Sequence, residues 1–164
     1  MIDEYIRQYG KRLFGLCLSL CRNVHDAEDL YQDTWLKVLK QIGRYDPSKP
    51  FEPWLTQICV NIYRNELRRL SRAPFVQFSS NESRDQLFAT LAAPEHQDHL
   101  DLYRAIDGLP EKLRMTVILF YFRDMDVNET ARLLSIPAGT VKSRLNKARK
   151  QLKEVLTDGT DLQC

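Results

Sequence analysis

The amino-acid sequence predicts an all-α protein made of two small helical domains joined by a linker, and three observations carry that expectation. Apolar residues recur at the three- and four-residue spacing of helix faces along most of the 164 residues, whereas strictly alternating runs are few. The seven prolines fall between these periodic stretches or at their starts, where they bound helices rather than interrupt them. From Ser71 to Gln97 the composition shifts to serine, alanine, asparagine and proline, which separates two periodic blocks. With 43% hydrophobic and 28% charged residues, the chain suits one or two small cores and not a single large one.

A first helix is expected from about Ile2 to Cys21, with Ile6, Tyr9, Leu13, Leu16, Cys17 and Leu20 facing inward. A second opens near His25, where Asp26, Glu28 and Asp29 set carboxylates against the positive end of the helix dipole. Leu30, Tyr31, Thr34, Trp35 and Val38 supply its inner face, and it ends before Gly43. The stretch Tyr45-Asp-Pro-Ser-Lys-Pro50 reads as a loop, and Phe51-Glu-Pro-Trp54 starts a third helix through Leu55, Ile58 and Ile62 toward Leu70. These helices form the expected first domain, residues 1–72. Residues 73–97 follow as the linker, in which Phe75, Phe78, Leu87, Phe88 and Leu91 are able to dock on a partner or form a short helix.

The expected second domain, residues 98–164, opens with a helix from His99 to Leu109. Another follows, led by Pro110, a residue favoured at helix starts, and running through Leu113, Val117 and Tyr121. Asp126 and Glu129 then have capping-box spacing, and Val127, Ala131 and Leu134 share a face of a short helix. After the break at Ser135-Ile-Pro137, Val141, Leu145, Ala148 and Leu152 form a narrow apolar stripe. The opposite face holds Lys142, Ser143, Asn146, Lys147, Arg149, Lys150 and Lys153, with no acid between Gly139 and Lys153. A small residue, Ala131, where two helices cross and an apolar Ile136 in the turn are what a helix-turn-helix requires. The basic face therefore points to DNA: its cations attract phosphates, and polar groups near its N-terminal end reach base edges in a major groove. A merely solvated basic helix is the alternative, and the preceding helix and turn argue against it.

Net charge is only +2, so the protein is not uniformly basic and charge must be read by segment. In the third helix, Trp54, Asn61, Tyr63, Arg64, Asn65, Arg68, Arg69 and Arg72 combine aromatics, amides and cations, a mixture that binds single-stranded nucleic acid by stacking and phosphate contact. Trp54 taken alone is more often a core residue. The second helix carries Asp29, Gln32, Asp33 and Leu36 on its outer face, an acidic strip with one apolar residue that suits a basic protein surface. An ordinary surface helix is the competing reading of that strip. The four cysteines, Cys17, Cys21, Cys59 and Cys164, lack zinc-site spacing, and Cys17 and Cys21 lie on an apolar face as small hydrophobes; a redox role stays open. His25, His96 and His99 are isolated, so no catalytic residue, metal or cofactor is expected. Neither a signal peptide nor an apolar run of membrane-spanning length is seen, which predicts a soluble cytoplasmic protein with no membrane insertion.

Three ordered blocks resemble the extracytoplasmic-function group of bacterial RNA polymerase sigma factors. Asp26-Ala-Glu-Asp-Leu-Tyr-Gln-Asp-Thr-Trp-Leu-Lys37 is similar to the family's region 2.2, the core-polymerase-binding helix. Phe51-Glu-Pro-Trp54 through Arg69 resembles regions 2.3 and 2.4, which melt and read the promoter −10 element. Leu109-Pro-Glu-Lys-Leu-Arg114 and the helix-turn-helix resemble region 4, which reads the −35 element. The resemblance implies that Asp29, Gln32, Asp33 and Leu36 meet the β′ clamp helices of the polymerase core, with the β flap as a further contact. It places Asn61, Tyr63, Arg64, Asn65, Arg68 and Arg69 at the single-stranded −10 element with a base flipped from the stack, and supports a core role for Trp54. Lys142, Ser143, Asn146 and Lys147 would face the −35 groove of duplex promoter DNA, and Arg149 and Lys150 its phosphates. An anti-sigma factor is implied as a regulating partner, and the linker is implied to thread the polymerase active-centre cleft.

The chain departs from the family pattern at Ser135, where many relatives have glycine in a turn position that favours positive φ, and at Cys59 and Val60, commonly Ala-Arg or similar. The second departure leaves the local DNA contacts in doubt. A dimeric regulator with a similar recognition helix is the alternative binding module, but it gives the aromatic and arginine patch no purpose. A metal-dependent nuclease would need clustered carboxylates or a His/Cys ligand set.

Overall fold

The computed structural model describes residues 1–72 and 100–161, which contain helices and turns and no strand. They fall into two compact units, one on each side of residues 73–99. The expected linker, residues 73–97, and Cys164 lie outside the described residues.

The N-terminal unit consists of α1 (Ile2–Leu20), α2 (Val24–Gln41), a 3₁₀ turn (Ile42–Arg44) and α3 (Phe51–Ser71). Its core takes Leu13, Leu16, Cys17 and Leu20 from α1, Ala27, Leu30, Trp35 and Val38 from α2, and Leu55, Ile58 and Cys59 from α3. Ile6, Tyr9 and Tyr31, expected inside, are only half-buried. The α1–α2 crossing is tight at Gly10, where a Cβ would stand 2.9 Å from the Tyr31 hydroxyl oxygen. Asn23 caps α2 by accepting the Asp26 N–H at 2.8 Å, so the helix starts just ahead of its acidic turn. Pro50 precedes α3, and Pro53 sits in the first turn, where backbone N–H groups have no intrahelical acceptor to lose. Trp54 is half-buried beside Tyr45 and Phe51, at ring-centroid distances of 4.9 and 5.5 Å, so its ring fixes the loop before α3 instead of forming an open stacking platform.

The C-terminal unit contains α4 (Leu100–Asp107), α5 (Glu111–Val117), α6 (Val127–Leu134) and α7 (Ala138–Asp161). Two details differ from expectation. Pro110 caps α5 rather than occupying its first turn, and the helix does not run regularly to Tyr121: from Ile118 to Phe122 it widens into a π turn. Ile106, Leu109, Leu113, Val117, Ala131, Val141, Leu145 and Ala148 form one core, with Leu152 and Ile136 packed at its margin. Within this unit Arg114 is fully buried, its Nε and Nη2 donating to the Glu111 carboxylate at 3.2 and 3.3 Å, with Nη1 3.7 Å from Asp107. A charge held there requires these carboxylates, because burial alone strongly disfavours an ionised group.

The capping box of α6 is complete: the Glu129 N–H donates to Asp126 Oδ1 at 2.8 Å, and the Asp126 N–H donates to Glu129 Oε2 at 2.9 Å. Ser135 ends α6 in the left-handed conformation, φ 57° and ψ 45°, a geometry that glycine adopts without steric cost. The turn forms nonetheless, and the Ile136 N–H reaches the Ala131 carbonyl at 3.0 Å.

Candidate functional site

On α7 the apolar stripe lies inside, with Val141, Leu145 and Ala148 at most 2% exposed. Lys142, Ser143, Asn146, Lys147, Arg149 and Lys150 are all exposed. At 3.6 residues per turn these six span an arc of about 160° on the opposite side, a single continuous face. Arg149 stands at the edge of that arc, next to the buried stripe, and is already engaged. Its Nε donates to the Tyr121 hydroxyl at 2.6 Å, and Nη1 lies 3.5 Å from Asn146 Oδ1, the long limit of a hydrogen bond. The guanidinium carbon is 5.7 Å from the Tyr121 ring centroid, near the limit of cation–π contact, so the hydroxyl is its main tether.

The α3 candidates divide between two sides of the helix. Asn61, Asn65 and Arg68 are exposed, and Arg64 is half-buried among them, a stripe at spacings of three and four. Gln57 Nε2 donates to Asn61 Oδ1 at 3.1 Å and holds that amide in place. Tyr63 does not join the stripe: it is 8% exposed. Two residues along a helix is a rotation of about 200°, so Tyr63 points away from Asn61, toward the α2 side of the helix. Arg69, four residues beyond Asn65, borders the same face and is exposed. It is bound to Glu66, and that hydrogen bond and charge hold its guanidinium above the ordinary pKa.

The α2 strip of Asp29, Gln32, Asp33 and Leu36 is exposed throughout, and His25 lies 3.7 Å from Asp29. Leu36 is 55% exposed, and Leu39, one turn further on, is 50% exposed. The sequence reading missed Leu39, although its spacing of three from Leu36 marks the same face. Asp29, Gln32 and Asp33 line a cleft of about 680 Å³ together with Tyr63, Glu66 and Arg69, so the acidic strip and the inner side of α3 border one concavity. Among the described residues no three His, Cys, Asp or Glu side chains converge as a metal site, and no helix is long and apolar enough to cross a membrane. Cys17, Cys21 and Cys59 are buried, with the Cys17 and Cys59 sulfurs 3.8 Å apart.

Residues 5–73 match the family model for Sigma-70 region 2, and residues 99–152 match that for Sigma-70, region 4. Over 159 residues the chain is 35% identical to the ECF RNA polymerase sigma factor SigE of Mycolicibacterium smegmatis, covering 94% of this chain and 61% of that protein. It is 28% identical to the ECF RNA polymerase sigma factor SigW of Bacillus subtilis over 160 residues, 92% of this chain and 86% of that one. The chain belongs to the extracytoplasmic-function group of the sigma-70 family. The fold agrees. The sigma factor RpoE of Bartonella quintana, solved in complex with the anti-sigma factor NepR, superposes with a TM-score of 0.70 at 22% identity, covering 94% of this chain and 96% of that one. CnrH, solved in complex with the cytosolic domain of CnrY, gives 0.67 at 20% identity, covering 96% and 88%.

In sigma-70 terms α1 to α3 lie in the region 2 match, while region 4 takes in α4 to α6 and most of α7. The departure at Cys59 and Val60 finds a physical answer. Both residues are 0% exposed, so they are packing positions and lie out of reach of any ligand of the folded chain.

Proposed function

We propose that this chain is a sigma factor that binds core RNA polymerase and directs promoter-specific initiation. The observation that carries the reading is the ordered pair of sigma-70 regions on two separate helical units, each with an exposed face suited to its partner. In it, residues 1–72 bind the polymerase and the −10 element, 73–97 connect, and 98–164 read the −35 element. The six exposed residues of α7 meet duplex DNA, with Lys142, Ser143, Asn146 and Lys147 toward bases and Arg149 and Lys150 toward phosphates. On α3, the stripe Asn61, Arg64, Asn65 and Arg68 holds unpaired −10 bases, and Arg69 acts only if Glu66 releases it. Asp29, Gln32, Asp33 and Leu36 dock on the β′ clamp helices, and region 4 on the β flap. The protein works in the cytoplasm as a binding factor: it makes and breaks no bond. The B. quintana sigma factor solved with its anti-sigma factor supports regulation of this chain by such an inhibitor.

Run-off transcription with core polymerase across the source genome tests this reading. Chain-dependent transcripts from discrete promoters are expected, and absence of both core association and transcription overturns it. Lys147→Ala should weaken −35 binding by about 1–3 kcal/mol if it reads a base, and chiefly flatten the salt dependence if it contacts phosphate. Asn61→Ala should impair open-complex formation while leaving core association intact.

A further inference from the structure

Tyr121 lies outside the helix-turn-helix, on the π turn. It is 48% exposed, a large aromatic side chain left at the surface with its hydroxyl turned onto Arg149. We propose that Tyr121 is a positioning residue for −35 binding, which fixes Arg149 so that the pair acts as one clamp on a backbone phosphate. The inference rests on α7 being the DNA-reading helix.

Arginine has five N–H donors in a rigid planar fork, and its two productive edges are the side edge containing Nε and the end formed by Nη1 and Nη2. Here Nε is committed to the Tyr121 oxygen at 2.6 Å, and Nη1 also approaches Asn146 Oδ1. The Nε–H is therefore occupied, and Nη2 with the second N–H of Nη1 is what remains for a bidentate contact with phosphate oxygens. A free arginine must lose several rotamers on binding, at a cost of order 2 kcal/mol for such a flexible side chain. Tethering it beforehand through a stiff phenol, itself fixed by the helix, removes part of that cost. Within the π turn Ile118–Phe122, Ile118 and Leu119 are buried, whereas Tyr121 lies at the surface with its hydroxyl on Arg149 of α7.

The test is a double-mutant cycle on the full chain, read by fluorescence anisotropy with a labelled random-sequence duplex, because phosphate contacts do not depend on sequence. Tyr121→Phe keeps the ring and deletes only the hydroxyl, so its melting temperature should match that of the wild type. Its binding should weaken by about 5- to 10-fold, the part of the arginine's rotamer cost that the tether removes. Arg149→Gln should weaken binding and reduce the salt slope by about 0.9, the value for one phosphate. The double variant should bind no more weakly than Arg149→Gln alone, a non-additivity that a general structural role for Tyr121 does not produce. Arg149→Lys, which keeps charge without the fork, should make Tyr121→Phe silent. Wild-type binding by Tyr121→Phe, or simple addition of the two losses, overturns the proposal. Lys150→Ala, at the other phosphate position, is the control: its weakened binding alongside a silent Tyr121→Phe removes only the clamp, whereas both being silent removes α7 as the DNA face.

Discussion

Leu145→Ala tests whether the basic face of α7 is held in place by its apolar stripe. Leu145 is 2% exposed and sits among Ile106, Leu113, Val117, Ala131, Val141 and Ala148, side chains from all four helices of the C-terminal unit. Deleting its isopropyl group removes ~2.4 kcal/mol of transfer free energy, at ~0.8 kcal/mol for each carbon group. Neighbours on four separately anchored helices collapse poorly into the space, so a cavity term raises the expected loss to about 3–4 kcal/mol, within the range for buried leucines. Small domains have only about 5–15 kcal/mol in hand, so the variant should be marginal, with a folding constant lower by a factor of a hundred or more. Urea titration followed by circular dichroism measures this, and Lys147→Ala, on the exposed face, should stay within about 0.5 kcal/mol of wild type. A loss below about 1 kcal/mol for Leu145→Ala would mean that the stripe does not anchor the helix and that the account of this unit is wrong.

Further expectations concern the other elements. Asp126→Ala removes the side-chain half of the capping box and should destabilise the C-terminal unit by about 1 kcal/mol, and Glu129→Gln by less because glutamine can close the box; equal melting temperatures for Asp126→Ala and wild type would contradict the cap. Leu39→Asp should weaken association with core polymerase by more than about 1 kcal/mol without lowering the melting temperature, as for an exposed residue at a docking face; unaltered affinity places Leu39 outside it. The Ser48 hydroxyl and N–H, donating to Asp46 at 2.7 and 3.0 Å, hold that carboxyl below its ordinary pKa of 3.8. A depressed carboxylate stabilises the fold fully above its unfolded pKa and loses that contribution as pH falls through the folded one. Ser48→Ala should thus move the Asp46 titration upward in a carboxyl NMR experiment, and an unmoved titration would exclude the hydroxyl as its cause.

The features most legible in the sequence are those fixed by local rules. Asp126 and Glu129 predict their own capping box, Val141, Leu145 and Ala148 predict the buried side of α7, and the positive φ expected near Ser135 is observed. What stayed hidden involved rotation around a helix or contact across the fold. Tyr63 is near Asn61 and Asn65 along the chain, yet at two residues' separation side chains diverge, and Tyr63 packs inward. Tyr121 lies within a π turn, which breaks the 3.6-residue register on which any face assignment depends. Arg114 has no exposure, and while Glu111 is its i,i+3 neighbour in the sequence, Asp107 of the preceding helix comes within 3.7 Å of it only in three dimensions.

The central claim is that the chain reads promoters in two parts, and a matched set of templates tests it most directly. Core polymerase carrying this chain is assayed by run-off transcription on a promoter found with it, and on copies in which the −35 element, the −10 element or both are scrambled. Loss of transcription on each singly scrambled template is predicted, with Lys147→Ala abolishing discrimination at −35 only and Asn61→Ala impairing opening at −10 only. Transcription that survives scrambling of either element, or a chain that supports initiation with α7 replaced by an acidic helix, would contradict the account.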